Sequence, residues 1–138
     1  MNVDEYINSA RNSLARAKRE LEPDQSCTRV PSSLSNALTR AMEAWLLAHG
    51  HENGSSHGLE GYATFTDHAP KELASGFRRC WAETSTLDFL LLGDSTTDAA
   101  TFPSLEEWTV RADNCIIECE KIVAAIMQNL RAQDEQQA

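Results

Sequence analysis

Three of the chain's four histidines fall within nine positions, in the stretch AHGHENGSSHGLEGYATF at 48–65. His49, His51 and His57, with Asp67 and His68 just beyond, are the residue types that ligate zinc or carry protons. A zinc site needs three or four such groups converging at about 2.0–2.1 Å from one point. Helical ligand pairs sit at i, i+4, and neither His49 nor His51 has a partner at that spacing. No metal and no cofactor is expected. His49, at the end of an apolar segment, suits a helix C-terminus.

Other chemistries fare no better. Cys27 lies between two prolines in PDQSCTRVP, with only Arg29 near it to stabilise a thiolate. There is no G-x-S-x-G motif. The glycines at 50, 54, 58 and 61 are followed by no Lys-Ser or Lys-Thr, so no phosphate loop forms. Glu106–Glu107 and Glu118–Glu120 lack the Glu-x-x-His companions of a di-iron bundle. No catalytic residue is assigned. Arg78 and Arg79 interrupt an apolar segment about 100° apart on a helix, so one can reach water while the other reaches a groove. Cys80, Cys115 and Cys119 sit at apolar positions and read as buried, reduced thiols.

Four amphipathic segments must position these groups. The first, about 3–21, carries Val3, Ile7, Ala10, Leu14, Ala17 and Leu21 in alternating steps of four and three, ahead of Pro23. The second, about 33–49, follows the start signal Pro31-Ser32-Ser33, carries Leu34, Leu38, Met42, Trp45 and Leu46, and stops at Gly50. The third, about 70–92, carries Leu73, Phe77, Cys80, Thr84, Leu87 and Leu91, widened by Trp81, Phe89, Leu90 and Leu92. The fourth, about 104–131, opens with the capping box SLEE and carries two seams: Leu105, Trp108, Ala112, Cys115, Cys119, Ile122 and Ile126 beside Ile116, Val123, Met127 and Leu130. The expected fold is all-α, an antiparallel up-down four-helix bundle with one long loop between helices 2 and 3, at about 51–69. Tyr62 and Phe65 would pin that loop, which has room for a short helical turn. A single domain is expected over 1–131, with a frayed tail at 132–138.

Charge narrows the partners. The net charge of −9 disfavours broad binding to a phosphate backbone. It is uneven: residues 1–21 carry four basic and three acidic side chains, residues 105–138 three basic and seven acidic. No apolar run approaches about 18 residues, so no membrane span is expected. The polar N-terminus MNVDEYINSARNS does not read as a signal peptide, and a cytoplasmic location follows.

The chain resembles the HEPN superfamily of small helical bundles, often partners of minimal nucleotidyltransferases. SSLSNALTRAMEAWLLAHG resembles that family's second helix. GSSHGLEGY is similar to its loop, here with Ser56, His57 and Leu59. IIECEKIVAAIMQNL resembles its closing helix. Nuclease members carry a histidine four to six residues after an arginine. Here Arg40 precedes His49 by nine, and no histidine follows Arg78, Arg79 or Arg111 within reach. The resemblance therefore implies a non-catalytic member: a homodimer that also pairs with a nucleotidyltransferase-like or toxin–antitoxin partner. His57, His49 and Arg78 are the candidate contacts to a nucleotide or phosphate, and binding of nucleic acid itself stays open. Two alternatives remain, a divergent ribonuclease using His57 or His49 with Arg78, and an acidic decoy of a nucleic-acid-processing protein.

Overall fold

A computed structural model describes residues 1–23, 25–51, 58–92 and 104–137. The described residues are helical or in turns, with no strand among them. Helix α1 (Val3–Glu20) begins at Asn2, whose side chain accepts the Glu5 N–H at 2.8 Å. Ile7, Ala10, Leu14 and Ala17 are its buried stripe, as the four-three spacing predicts.

Helix α2 (Val30–Ala48) is preceded by a single 3-10 turn, Cys27–Arg29, which explains its start three residues before the expected one. Pro31 fits the first turn, where its missing N–H costs nothing. Twelve of its 19 residues are buried, and it packs against all four other helices. Its end is a Schellman motif: His51 N–H reaches the Leu46 carbonyl at 2.8 Å and Gly50 N–H the Leu47 carbonyl at 3.2 Å. Gly50 supplies the left-handed conformation, φ +81°, that this reversal requires.

The expected loop after helix 2 requires correction. Residues Gly58–His68 form a helix, α3, so the fold has five helices among the described residues rather than four. Its glycines suggested a loop, each costing about 1 kcal/mol in a helix. Burial offsets that cost. Phe65 is 0% exposed and meets Trp45 edge-on at 5.3 Å and Phe77 at 4.7 Å, while Tyr62 meets Trp81 at 5.0 Å. The two aromatics do anchor the segment, three residues apart on one helical face.

Helix α4 (Lys71–Leu92) buries Leu73, Ala74, Phe77, Cys80, Thr84 and Leu87. Helix α5 (Leu105–Gln137) is capped by Ser104, whose hydroxyl accepts the Glu107 N–H at 3.1 Å. Most of both expected seams of α5 turns inward: Trp108, Ala112, Cys115, Cys119 and Ile126 beside Ile116, Val123 and Leu130 are buried, because α5 packs against α1, α2 and α4 at once, while Ile122 and Met127 are half-buried and Leu105 is exposed. Beyond Leu130 it continues to Gln137 on Arg, Ala, Gln and Glu, residues with good helix propensity. One apolar cluster joins the buried residues of every helix.

Phe65→Ala should lower unfolding free energy by about 3–5 kcal/mol, the range for emptying a buried phenyl site. Leu59→Ala, on the same helix but 82% exposed, should stay within about 0.5 kcal/mol of the parent. Urea denaturation followed by circular dichroism measures both.

Candidate functional site

The histidine-rich region begins where α2 ends. His49 terminates α2, and its Nδ1–H donates to the Trp45 carbonyl at 2.7 Å. A carbonyl only accepts, so Nδ1 carries a proton. The ring stacks on Trp45 at 3.7 Å with a 17° interplanar angle. Its Nε2 is buried and has no hydrogen-bond partner among the described residues. Trp45 is held in turn, donating Nε1–H to Asn129 Oδ1 of α5 at 3.0 Å. His49 thus caps and covers the α2 terminus, facing the aromatic cluster rather than an open pocket.

His51 lies beside His68, ring centroids 5.2 Å apart, and His68 Nδ1–H donates to the Thr64 carbonyl at 2.9 Å. Arg78, exposed on α4, extends toward the Thr66 carbonyl at 3.4 Å. Arg78 thus borders α3 while the contacts of His49 are to Trp45 on α2, and no hydrogen bond or ring contact joins the two among the described residues. His57 lies outside the described residues, as does Ser56. Among the described residues no group of three or more His, Cys, Asp or Glu is arranged to hold a metal ion.

The arrangement with more chemical content is the groove between α4 and α5, about 620 Å³ in volume. Gly76, Cys80, Cys115, Ile122 and Ala125 line it, and Arg79, Glu83, Arg111, Glu118 and Lys121 rim it. At one end Arg111 forms a two-pronged ion pair with Glu83, linking the helices. Lys121 pairs with Glu118 at 3.1 Å. Arg79 has no carboxylate within ion-pair distance among the described residues. The adjacent arginines thus divide as helical geometry allows, Arg78 toward α3 and Arg79 to the groove.

Three thiols meet at the back of this groove. Cys119 neighbours both Cys80 and Cys115. Thr84 Oγ1 stands 3.6 Å from Cys115 Sγ. Hydrogen bonding from Cys119 holds Cys80 and Cys115 below the usual thiol range, against the opposing effect of burial. Arg79 further lowers Cys80, while Arg111 further lowers Cys115. Cys119 moves the other way, pushed up by the same hydrogen bonds and by burial. Cys115 and Cys119 are visibly one turn apart in the sequence, but only the α4–α5 pairing brings Cys80 to their level.

No protein-family model, curated protein or solved structure matches the chain.

His49→Ala should cost about 1–3 kcal/mol, the sum of a lost ring stack and a lost backbone hydrogen bond. Thermal unfolding checks this, and an unchanged melting temperature would show that the ring contributes no such support.

Proposed function

We propose that this protein is a non-catalytic helical-bundle binding module, a single-domain cytoplasmic protein that pairs with itself and with a second protein. The order of cross-helix contacts supports an up-down-up-down course for α1, α2, α4 and α5. Numbering rises on one helix as it falls on its neighbour: Ser13 with Asn36 and Glu20 with Ser33, Thr84 with Cys115 and Leu87 with Trp108. In this reading α3 is an addition to one end of the four-helix bundle.

The observation that carries the binding reading is on α5. Val110 (60% exposed) and Ile117 (43% exposed) are seven residues apart, and Ala124, seven further, is also exposed. Residues at that interval share one face of a helix. Leu105 and, on α4, Phe89 are exposed as well. The second α5 seam, which suggested surplus apolar surface, is consumed inside the fold, so this outer stripe is what remains for a partner. A second copy offers the same stripe, and an isologous dimer is its simplest use. The resemblance to HEPN bundles supports a further partner of the nucleotidyltransferase or toxin–antitoxin kind. Among the described residues, no helix is long and apolar enough to cross a membrane.

Light scattering behind size exclusion tests the reading. The parent should run as a dimer that persists at 1 M salt, where the screening length falls to about 3 Å. Ile117→Asp should run as a folded monomer. A parent monomer would overturn the self-pairing. Dissociation by salt would favour the acidic-decoy alternative, and cleavage of RNA that is lost on His57→Ala would favour the ribonuclease.

A further inference from the structure

The proposed binding role makes no use of the three-thiol cluster. Helices α4 and α5 approach closely here: a Cβ on Gly76 would stand 2.5 Å from Ile122 Cδ1. One turn along from Gly76, Cys80 faces the groove, as does Cys115, while Cys119 is 0% exposed behind them and does not line it. The groove thus presents two thiols to a small molecule from solvent and keeps a third in reserve.

We propose that this groove is a thiol oxidation site, in which a hydroperoxide oxidises Cys80 and Cys119 then closes a Cys80–Cys119 disulfide between α4 and α5. In the first step the Cys80 thiolate attacks the peroxide. An S–O bond forms, the O–O bond breaks, and the leaving alkoxide or hydroxide takes a proton to depart as alcohol or water. The sulfur is oxidised by two electrons and the peroxide is reduced by two. In the second step the Cys119 sulfur attacks Cys80. The S–S bond forms, the S–O bond breaks, and hydroxide leaves as water with the Cys119 proton. Two thiols and one hydroperoxide become one disulfide, one alcohol or water, and one water.

Geometry selects the pair. Cys115 and Cys119 are four apart on one helix, where β-carbons stand about 5–6 Å apart. A disulfide holds them at about 3.5–4.5 Å, so closing that pair would distort α5. Cys80 is on the other helix: the antiparallel pairing that sets Thr84 against Cys115 brings Cys80, one turn before Thr84, level with Cys119, one turn after Cys115. Charge selects the site of attack. Arg79 lines the groove with no carboxylate within ion-pair distance among the described residues, whereas Arg111, the cation near Cys115, is already bound to Glu83. The lowered position of the Cys80 thiol and the raised one of Cys119 fit an attacking thiolate beside a resolving thiol. Cys115 also has Thr84 against its sulfur. Cys27, near the start of α2, has no part in the cluster and serves as an internal control.

The test uses the reduced full chain, hydrogen peroxide, quenching with N-ethylmaleimide, and peptide mapping. Cleavage after Glu118 separates Cys115 from Cys119. The expected product is one intramolecular disulfide joining Cys80 to Cys119, with Cys27 and Cys115 alkylated. Cys119→Ser should halt at a sulfenic acid on Cys80, trapped by dimedone. Arg79→Gln, on the solvent rim, should slow oxidation several-fold. Full alkylation of Cys80 and Cys119 after peroxide treatment, or a disulfide of any other pairing, would overturn the proposal. Both results are read on the parent chain and do not depend on a variant folding.

Discussion

Helix α2 has to be enclosed, and the other four helices are arranged by that requirement. It carries Val30, Leu34, Leu38, Met42, Trp45 and Leu46 together with Ala37, Ala41 and Ala44, all buried. Such a helix leaves water only a narrow polar edge, at Ser32, Ser35 and Thr39, so α1, α3, α4 and α5 each take a share of the rest. The small residues decide how closely they come. Ala10 and Ala17 on α1, and Ala37 and Ala41 on α2, are fully buried. Polar links then fix the register there: Asn36 to Ser13 at 2.6 Å, Ser33 to Glu20, and Arg40 over the Tyr6 ring at 5.8 Å. Polar pairs of this sort contribute only about 0.5–1.5 kcal/mol each, but leaving them unmade costs more, so they discriminate between alternative pairings.

The four long helices are legible in the sequence because each repeats its apolar residues every three or four positions over at least four turns. Starts and stops were legible too, in Pro31, Gly50 and Ser104, since capping is a local transaction between a side chain and nearby backbone. Helix α3 was not. It is 11 residues long and buries only Gly61, Phe65 and Thr66 within itself. A helix that short is marginal without neighbours, and what stabilises it is Trp45, Phe77 and Trp81, residues 12 or more positions away in the chain. The extension of α5 past Leu130 likewise has no apolar period to announce it.

The candidate sites divide along the same line. His49 is legible as a helix terminator, and that is where it sits. Its stack on Trp45 could also be read from the i, i+4 spacing. The groove between α4 and α5 is a product of tertiary pairing. Cys80 and Cys119 are 39 positions apart, and nothing in the sequence aligns them until the two helices are docked. The same docking turns the second apolar seam of α5 inward, leaving Val110, Ile117 and Ala124 as the apolar stripe on the outside. Binding surface and thiol groove are thus both set by how α5 is rotated against its neighbours, and α2 sets that rotation by occupying the space on the other side.

Native-state amide hydrogen exchange tests this account most directly. If α2 is the enclosed element, its amides from about Leu34 to Leu46 should exchange only through global unfolding, with the highest protection in the chain, while α3 opens first. Protection of α2 no greater than that of α3 would contradict it, because a helix packed against all four others cannot open without dismantling the rest.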